Sequence, residues 1–172
     1  MQTSKTQFHV GDWIVHAFYG IGKIVDKEKM KLSGTVQTFF TVKLKDGKYW
    51  LSKNKSKAQH VRPLATMQEV EKALHEIERK PQSLPKQFRS RKKDILEIIE
   101  KGSLIDNARL LRDLNGGKAK NKLNFEDRNW FAKIKKQFIR EWSLVSGKKK
   151  STLKKKLNHA LEKSAKQLKE IH

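Results

Sequence analysis

At Pro63 the spacing of apolar residues switches from two to between three and four, so one chain must build two different kinds of structure in succession. Upstream, Val10 to Val25 reads as strand, glycine-marked turn, strand. Gly11-Asp12 opens an apolar run, and Gly20 and Gly22 punctuate the return into Ile24-Val25. Phe40, Val42 and Leu44 share a face by period two, and Ser33-Gly34 marks a turn. Asp46-Gly47 is a hairpin signal before Tyr49-Trp50-Leu51, a run that turns Trp50 away from its two neighbours. Several short strands at this spacing predict a small barrel or curled sheet.

Downstream the pattern is helical. Thr66-Met67-Gln68-Glu69 is a capping box, followed by Met67, Val70, Ala73, Leu74 and Ile77 on one face. Lys80 to Pro85 breaks that helix. A second helix is expected from about 87 to 101, ending at Gly102. A third is capped by Ser103, carries Leu104, Ala108, Leu111 and Leu114, and is expected to stop at Gly116-Gly117. A basic loop, 118–122, precedes a fourth helix capped by Asn124 with Asp127, its apolar face formed by Trp130, Phe131, Ile134, Phe138 and Trp142. Ser151 could cap a fifth, with Leu153, Leu157, Ala160, Leu161, Leu168 and Ile171 on one side and lysines on the rest; the pattern allows it to dock or stay loose. The expected class is α+β: a β domain over 1–64, a helical domain over 65–146 and a lysine-rich helix or extension over 147–172.

Charge narrows the function. The 172 residues hold 40 Lys and Arg against 18 Asp and Glu, a formal net charge of +22, and every part of the chain is basic. Such an excess suits a polyanionic partner, because neutralising phosphates releases counterions. There is no cysteine, which excludes disulfides and thiolate metal sites. No apolar run approaches a membrane span, and Met1–Lys5 is not followed by the apolar stretch of a signal peptide, so a cytoplasmic, nucleoid-associated location is expected. The six histidines lack metal-ligand spacing, there is no phosphate-binding loop, and Gly20-Ile21-Gly22 lacks the third glycine of a dinucleotide fingerprint. No metal, cofactor, small-molecule substrate or enzymatic activity is expected.

The segment that carries chemistry is Pro85 to Lys93. Phe88 follows the proline break at the start of a helix, with Arg89, Arg91, Lys92 and Lys93 behind it. The cations can grip phosphates while Phe88 wedges against bases in a minor groove. Equally, Phe88 could staple onto Ile95 or Leu96, leaving the basic run as a solvated face. Lys118, Lys120 and Lys122 are further candidate phosphate contacts.

Two stretches carry a resemblance. Val10-Gly11-Asp12…Val15-His16…Gly20-Ile21-Gly22…Ile24-Val25 resembles the start of the polymerase-interacting domain shared by CarD-type transcription regulators and transcription-repair coupling factors. Pro85, Phe88, Arg91 and Lys93 are similar to a CarD/CdnL stretch that opens a helix, with Phe where that family usually has Trp. Ala108 to Leu114 and Leu123 to Asp127 follow in the family's order. The resemblance implies a Tudor-like barrel that docks on the β-subunit lobe of bacterial RNA polymerase. It implies a helical domain that places an aromatic side chain in the minor groove of double-stranded promoter DNA, at the upstream edge of the bubble, stabilising the open complex. The family's usual polymerase-facing arginines have no clear match; Lys29, Lys31 and Trp50 stand in that neighbourhood. A monomer is expected. The alternatives are a stand-alone nucleoid-type architectural DNA-binding protein, or a membrane-surface protein using the last helix, which has aliphatic but no aromatic anchors.

Overall fold

The computed structural model describes residues 7–54 and 60–170; Met1–Lys5 and Ile171, read above from sequence, lie outside them. The chain divides into two compact units, Met1–Leu64 and Ala65–His172.

The first unit is one antiparallel sheet. Its strands are β1 (Trp13–His16), β2 (Gly20–Leu32), β3 (Thr35–Leu44), β4 (Gly47–Ser52) and β5 (Val61–Pro63), in the order β4-β3-β2-β1-β5. Period two holds: Phe40, Val42 and Leu51 are buried with Phe8, Ile14 and Ile24. Ser33 and Gly34, at φ 49° and 83°, form the two-residue turn joining β2 to β3, both left-handed as the twist of a tight hairpin requires. The described strands do not close into the expected barrel. β5 pairs with β1 over three residues only, and no ladder joins it to β4, so the sheet keeps two edges.

His16 is buried at the end of β1. Its Nδ1 accepts hydrogen bonds from the backbone N–H groups of Phe18 and Tyr19 at 3.1 and 3.2 Å, and Tyr19 stacks on its ring at 4.4 Å. This arrangement needs a neutral ring. Burial, with the charge of His60 second, holds its pKa below the ordinary 6.5. The unfolded chain therefore binds the proton more readily. The stability His16 contributes is complete above about pH 6.5 and is lost as pH falls through the folded pKa. Unfolding free energy measured from pH 7.5 to 5 should decline, and less so in His16→Asn, whose amide oxygen accepts the same bonds without titrating. Equal declines in both proteins would remove His16 as the cause.

The second unit comprises α1 (Met67–Glu78), α2 (Phe88–Lys101), α3 (Leu104–Ala119), α4 (Phe125–Ser146) and α5 (Lys150–Lys166). Thr66 and Glu69 form the expected capping box on α1, Ser103 caps α3, and Asn124 with Asp127 form a second capping box on α4. One core gathers Val70, Ala73 and Ile77 of α1, Ile95 and Ile99 of α2, Leu110, Leu111 and Leu114 of α3, Phe131, Phe138 and Trp142 of α4, and Leu153, Leu157 and Leu161 of α5. Thus α5 is docked. Asn115 Nδ2 donates to the Leu161 carbonyl at 2.9 Å, and Ser164 Oγ donates to the Arg79 carbonyl at 2.6 Å.

Two expected boundaries move. α5 begins at Lys150, one residue before Ser151, with Lys149 at its N-cap and no side-chain cap bond. More informatively, Gly116 and Gly117 do not stop α3, which continues to Ala119. A Cβ on Gly116 would lie 2.5 Å from Cβ of the buried Pro81, and one on Gly117 would lie 2.7 Å from Leu123 Cδ2. The pair is there for close approach: it lets the segment before α2 and the loop after α3 pack against the helix. Gly116→Ala should overpack this contact and destabilise by about 1–3 kcal/mol in a denaturant titration, despite the higher helix propensity of alanine. A stabilised variant would mean that Pro81 can move aside.

Candidate nucleic-acid interface

The start of α2 is set by what precedes it. Residues 80–87 are non-helical, with Pro81 seated on α3 and the Gln82 N–H donating to Asp113 Oδ1 at 2.8 Å. Gln87 takes the N-cap position without a side-chain cap bond, and no acid lies in the first turn. The terminal amides thus keep their attraction for an anion. Phe88, the first helical residue, is 43% exposed and belongs to no core cluster. It is not a buried staple. The Arg91 guanidinium carbon and Lys92 Nζ each lie 5.9 Å from its ring centroid.

The four cations behind Phe88 differ in their freedom. Arg91 is tied down: Nε reaches both Asp127 oxygens at 3.1 Å, Nη2 reaches Oδ2 at 3.0 Å, and Nη1 donates to the Pro85 and Lys86 carbonyls at 2.9 and 3.1 Å. The side chains of this pair are only 11% and 3% exposed. Arg91 therefore clamps the turn before α2 onto the capping box of α4. Lys92 pairs with Glu126 at 2.9 Å, and Lys93 pairs more loosely with Glu97 at 3.8 Å; both pairs are solvent-accessible. Arg89 is exposed and makes no ion pair among the described residues.

These links bring a residue to the site that the sequence reading passed over. Phe125, the first residue of α4, is 80% exposed, next to the Glu126 and Asp127 that hold Lys92 and Arg91. Its signal was available: six residues before the buried Phe131, it lies about 120° off the apolar face of α4 at 100° per residue. Two helix N-termini, each with an exposed phenylalanine, are thus stitched together by two ion pairs.

The loop lysines divide. Lys120 and Lys122 border a cleft of about 410 Å³ together with Lys86 and Arg91, over a floor that includes Pro81, Gly116 and Leu123. Lys118 instead sits over Phe131, its Nζ 5.4 Å from the ring centroid.

In the sheet unit, Trp50 is 52% exposed with Lys48 Nζ 5.5 Å from its ring, while Leu51 is buried. Trp50 pairs with Thr41, and Thr41 with Asp26. Lys29 and Lys31 pair with Thr38 and Val36, three and five residues from Thr41. An odd offset places them on the opposite face of the ribbon, roughly 10 and 17 Å along it at 3.4 Å per residue. The structure does not bring these lysines to Trp50. The neighbours it supplies instead are Lys48, Thr41 and Glu28, the last accepting a bond from Thr41 Oγ1 at 3.4 Å.

Among the described residues, no three His, Cys, Asp or Glu side chains converge as metal ligands, and no helix is long and apolar enough to cross a membrane. Two domain families match the chain. The CarD-like/TRCF RID domain covers residues 8–64, and the CarD C-terminal domain covers residues 69–158, more than half of the sequence. The chain belongs to the CarD-like family. Its two units carry that family's two domains in order, those of RNA-polymerase-interacting transcription regulators. Individual curated proteins give no significant match. Within the CarD C-terminal match, Phe88 stands exposed at the opening of α2, and the Arg91–Asp127 and Lys92–Glu126 pairs link that opening to the start of α4, where Phe125 is exposed.

Proposed function

We propose that this CarD-like protein is a non-enzymatic, monomeric transcription regulator of the nucleoid. It docks on the RNA polymerase β subunit through the sheet unit, in the place of the family's Tudor-like module, and on double-stranded promoter DNA through the paired starts of α2 and α4. The observation that carries the reading is Phe88: a large apolar side chain left 43% exposed at a helix N-terminus and ringed by cations. Phe88 and Phe125 meet the minor groove at the upstream edge of the bubble, and Arg89, Lys92 and Lys93 take phosphates, with Lys120 and Lys122 beyond them. Arg91, given above as a phosphate contact, serves here as a positioning residue, because its donors are engaged by Asp127 and two carbonyls. Insertion of a ring favours distorted over closed DNA, and that difference stabilises the open complex.

Polymerase docking is tested with the full-length chain. Trp50→Ala should weaken β-subunit binding about tenfold or more, as an exposed aromatic anchor does, while the melting temperature stays near wild type. Lys29→Ala and Lys31→Ala, on the other face, should have much smaller effects. Undiminished binding by Trp50→Ala would move the interface elsewhere. A wild-type chain that binds duplex DNA but no polymerase would favour the architectural reading.

A further inference from the structure

Where α3, α4 and α5 pack together, two lysines crowd one aromatic ring and a third lies close enough to act on one of them. Lys118 Nζ lies 5.4 Å and Lys135 Nζ 5.7 Å from the centroid of Phe131, a buried residue whose position is fixed by the core. Lys154 of α5 completes the group: burial first, then the charges of Lys118 and Lys154, holds the Lys135 amine below the ordinary lysine range. None of the three makes an ion pair among the described residues, although carboxylates elsewhere do pair with lysines, as Glu126 does with Lys92 and Glu78 with Lys163. A cluster built for the fold alone would place an acid between such charges. This one repels itself, and each ammonium retains donors for an outside acceptor.

We infer that Lys118, Lys135 and Lys154 form a second contact for the phosphate backbone of duplex DNA, built from three helices and separate from the α2–α4 edge. The two ammoniums over Phe131 are held in place before DNA arrives, which lowers the ordering cost of the contact. Their distances to the shared centroid keep them within roughly three base steps of one another at 3.4 Å rise. The occupant follows from charge: three unpaired cations with no carboxylate suit successive phosphates. The inference deepens the proposed DNA binding and rests on that reading, but it concerns different residues.

The test uses the full-length chain and a duplex of about 30 base pairs with arbitrary sequence, titrated by fluorescence anisotropy across a salt series. The triple variant Lys118→Ala, Lys135→Met, Lys154→Ala should flatten the slope of log K against log salt by about two to three units and weaken binding at least tenfold near 0.15 M salt. Its melting temperature should equal or exceed that of the wild type, because the repulsion is gone. Loss of affinity without loss of fold separates a binding cluster from a structural one. The triple Arg variant should keep the wild-type slope. An unchanged slope in the Ala/Met variant overturns the inference, even when Arg89→Ala with Lys93→Ala flattens it; in that case the α2 contact stands alone. The converse pattern, with the slope sensitive only to the triad, supports the cluster and removes the α2 contact. A wild-type chain that fails to bind the duplex overturns both.

Discussion

Asp127→Ala is expected to cost about 3–5 kcal/mol of stability, the range for removing one partner of a buried, hydrogen-bonded ion pair. Asp127 holds two jobs in one carboxylate. It closes the capping box of α4, where Oδ2 accepts from the Asn124 N–H at 3.1 Å, and it receives three contacts from Arg91. Truncation leaves the Arg91 guanidinium nearly buried without a counter-charge and frees an amide at the helix end. Asp127→Asn should fall between wild type and alanine, because its amide oxygen can still cap the helix while the charge is lost. Chemical denaturation of all three proteins gives the comparison. A loss under about 1 kcal/mol for the alanine variant would show that water replaces the carboxylate at this site. Part of the cost has a functional meaning. Arg91 fixes the turn that delivers Phe88, so Arg91→Ala should impair DNA binding through misplacement, with the salt slope changing less than for Arg89→Ala.

Phe88→Ala is expected to shorten the lifetime of the polymerase–promoter open complex about tenfold, within the roughly 1–3 kcal/mol that an aromatic ring stacked on a base contributes. Polymerase affinity should be unchanged, since the substitution lies outside the sheet unit. The fold should also hold, because Phe88 is absent from the buried core. Phe88→Trp should lengthen the lifetime, adding ring area and an N–H donor at a position with free space. Phe125→Ala should produce a smaller shortening in the same direction, and the two alanine changes should be non-additive if both rings meet one distorted step. Heparin-challenged decay of the open complex reads all four proteins. Unchanged lifetimes with Phe88→Ala and Phe125→Ala would sink the wedge; a decrease in melting temperature large enough to explain a shortened lifetime would make Phe88 a structural residue instead.

What the sequence by itself determined was whatever depends on near neighbours along the chain. The switch of period at Pro63 separated sheet from helices. The boxes Thr66–Glu69 and Asn124–Asp127 located the starts of α1 and α4, and Asp46-Gly47 located the β3–β4 turn, because caps and tight turns are satisfied within a few residues. Local logic also turned Trp50 outward. Other features required the tertiary structure. Gly116-Gly117 looks like a helix stop, and only contact with Pro81, far back in sequence, and with Leu123, folded back from the loop after the helix, makes it a packing notch inside α3. Lys29 and Lys31 look like neighbours of Trp50 until the register sends them to the other face. Arg91 is one cation among four in the sequence; its partner Asp127 lies 36 residues on, and that pairing divides a positioning residue from the exposed Arg89. The exposure of Phe125 could be read from its place off the apolar face of α4, but its link to the start of α2 and the gathering of lysines at Phe131 could not. Which charges are neutralised and which remain for a partner depends on distances through space, and no spacing along the chain encodes those before the helices pack.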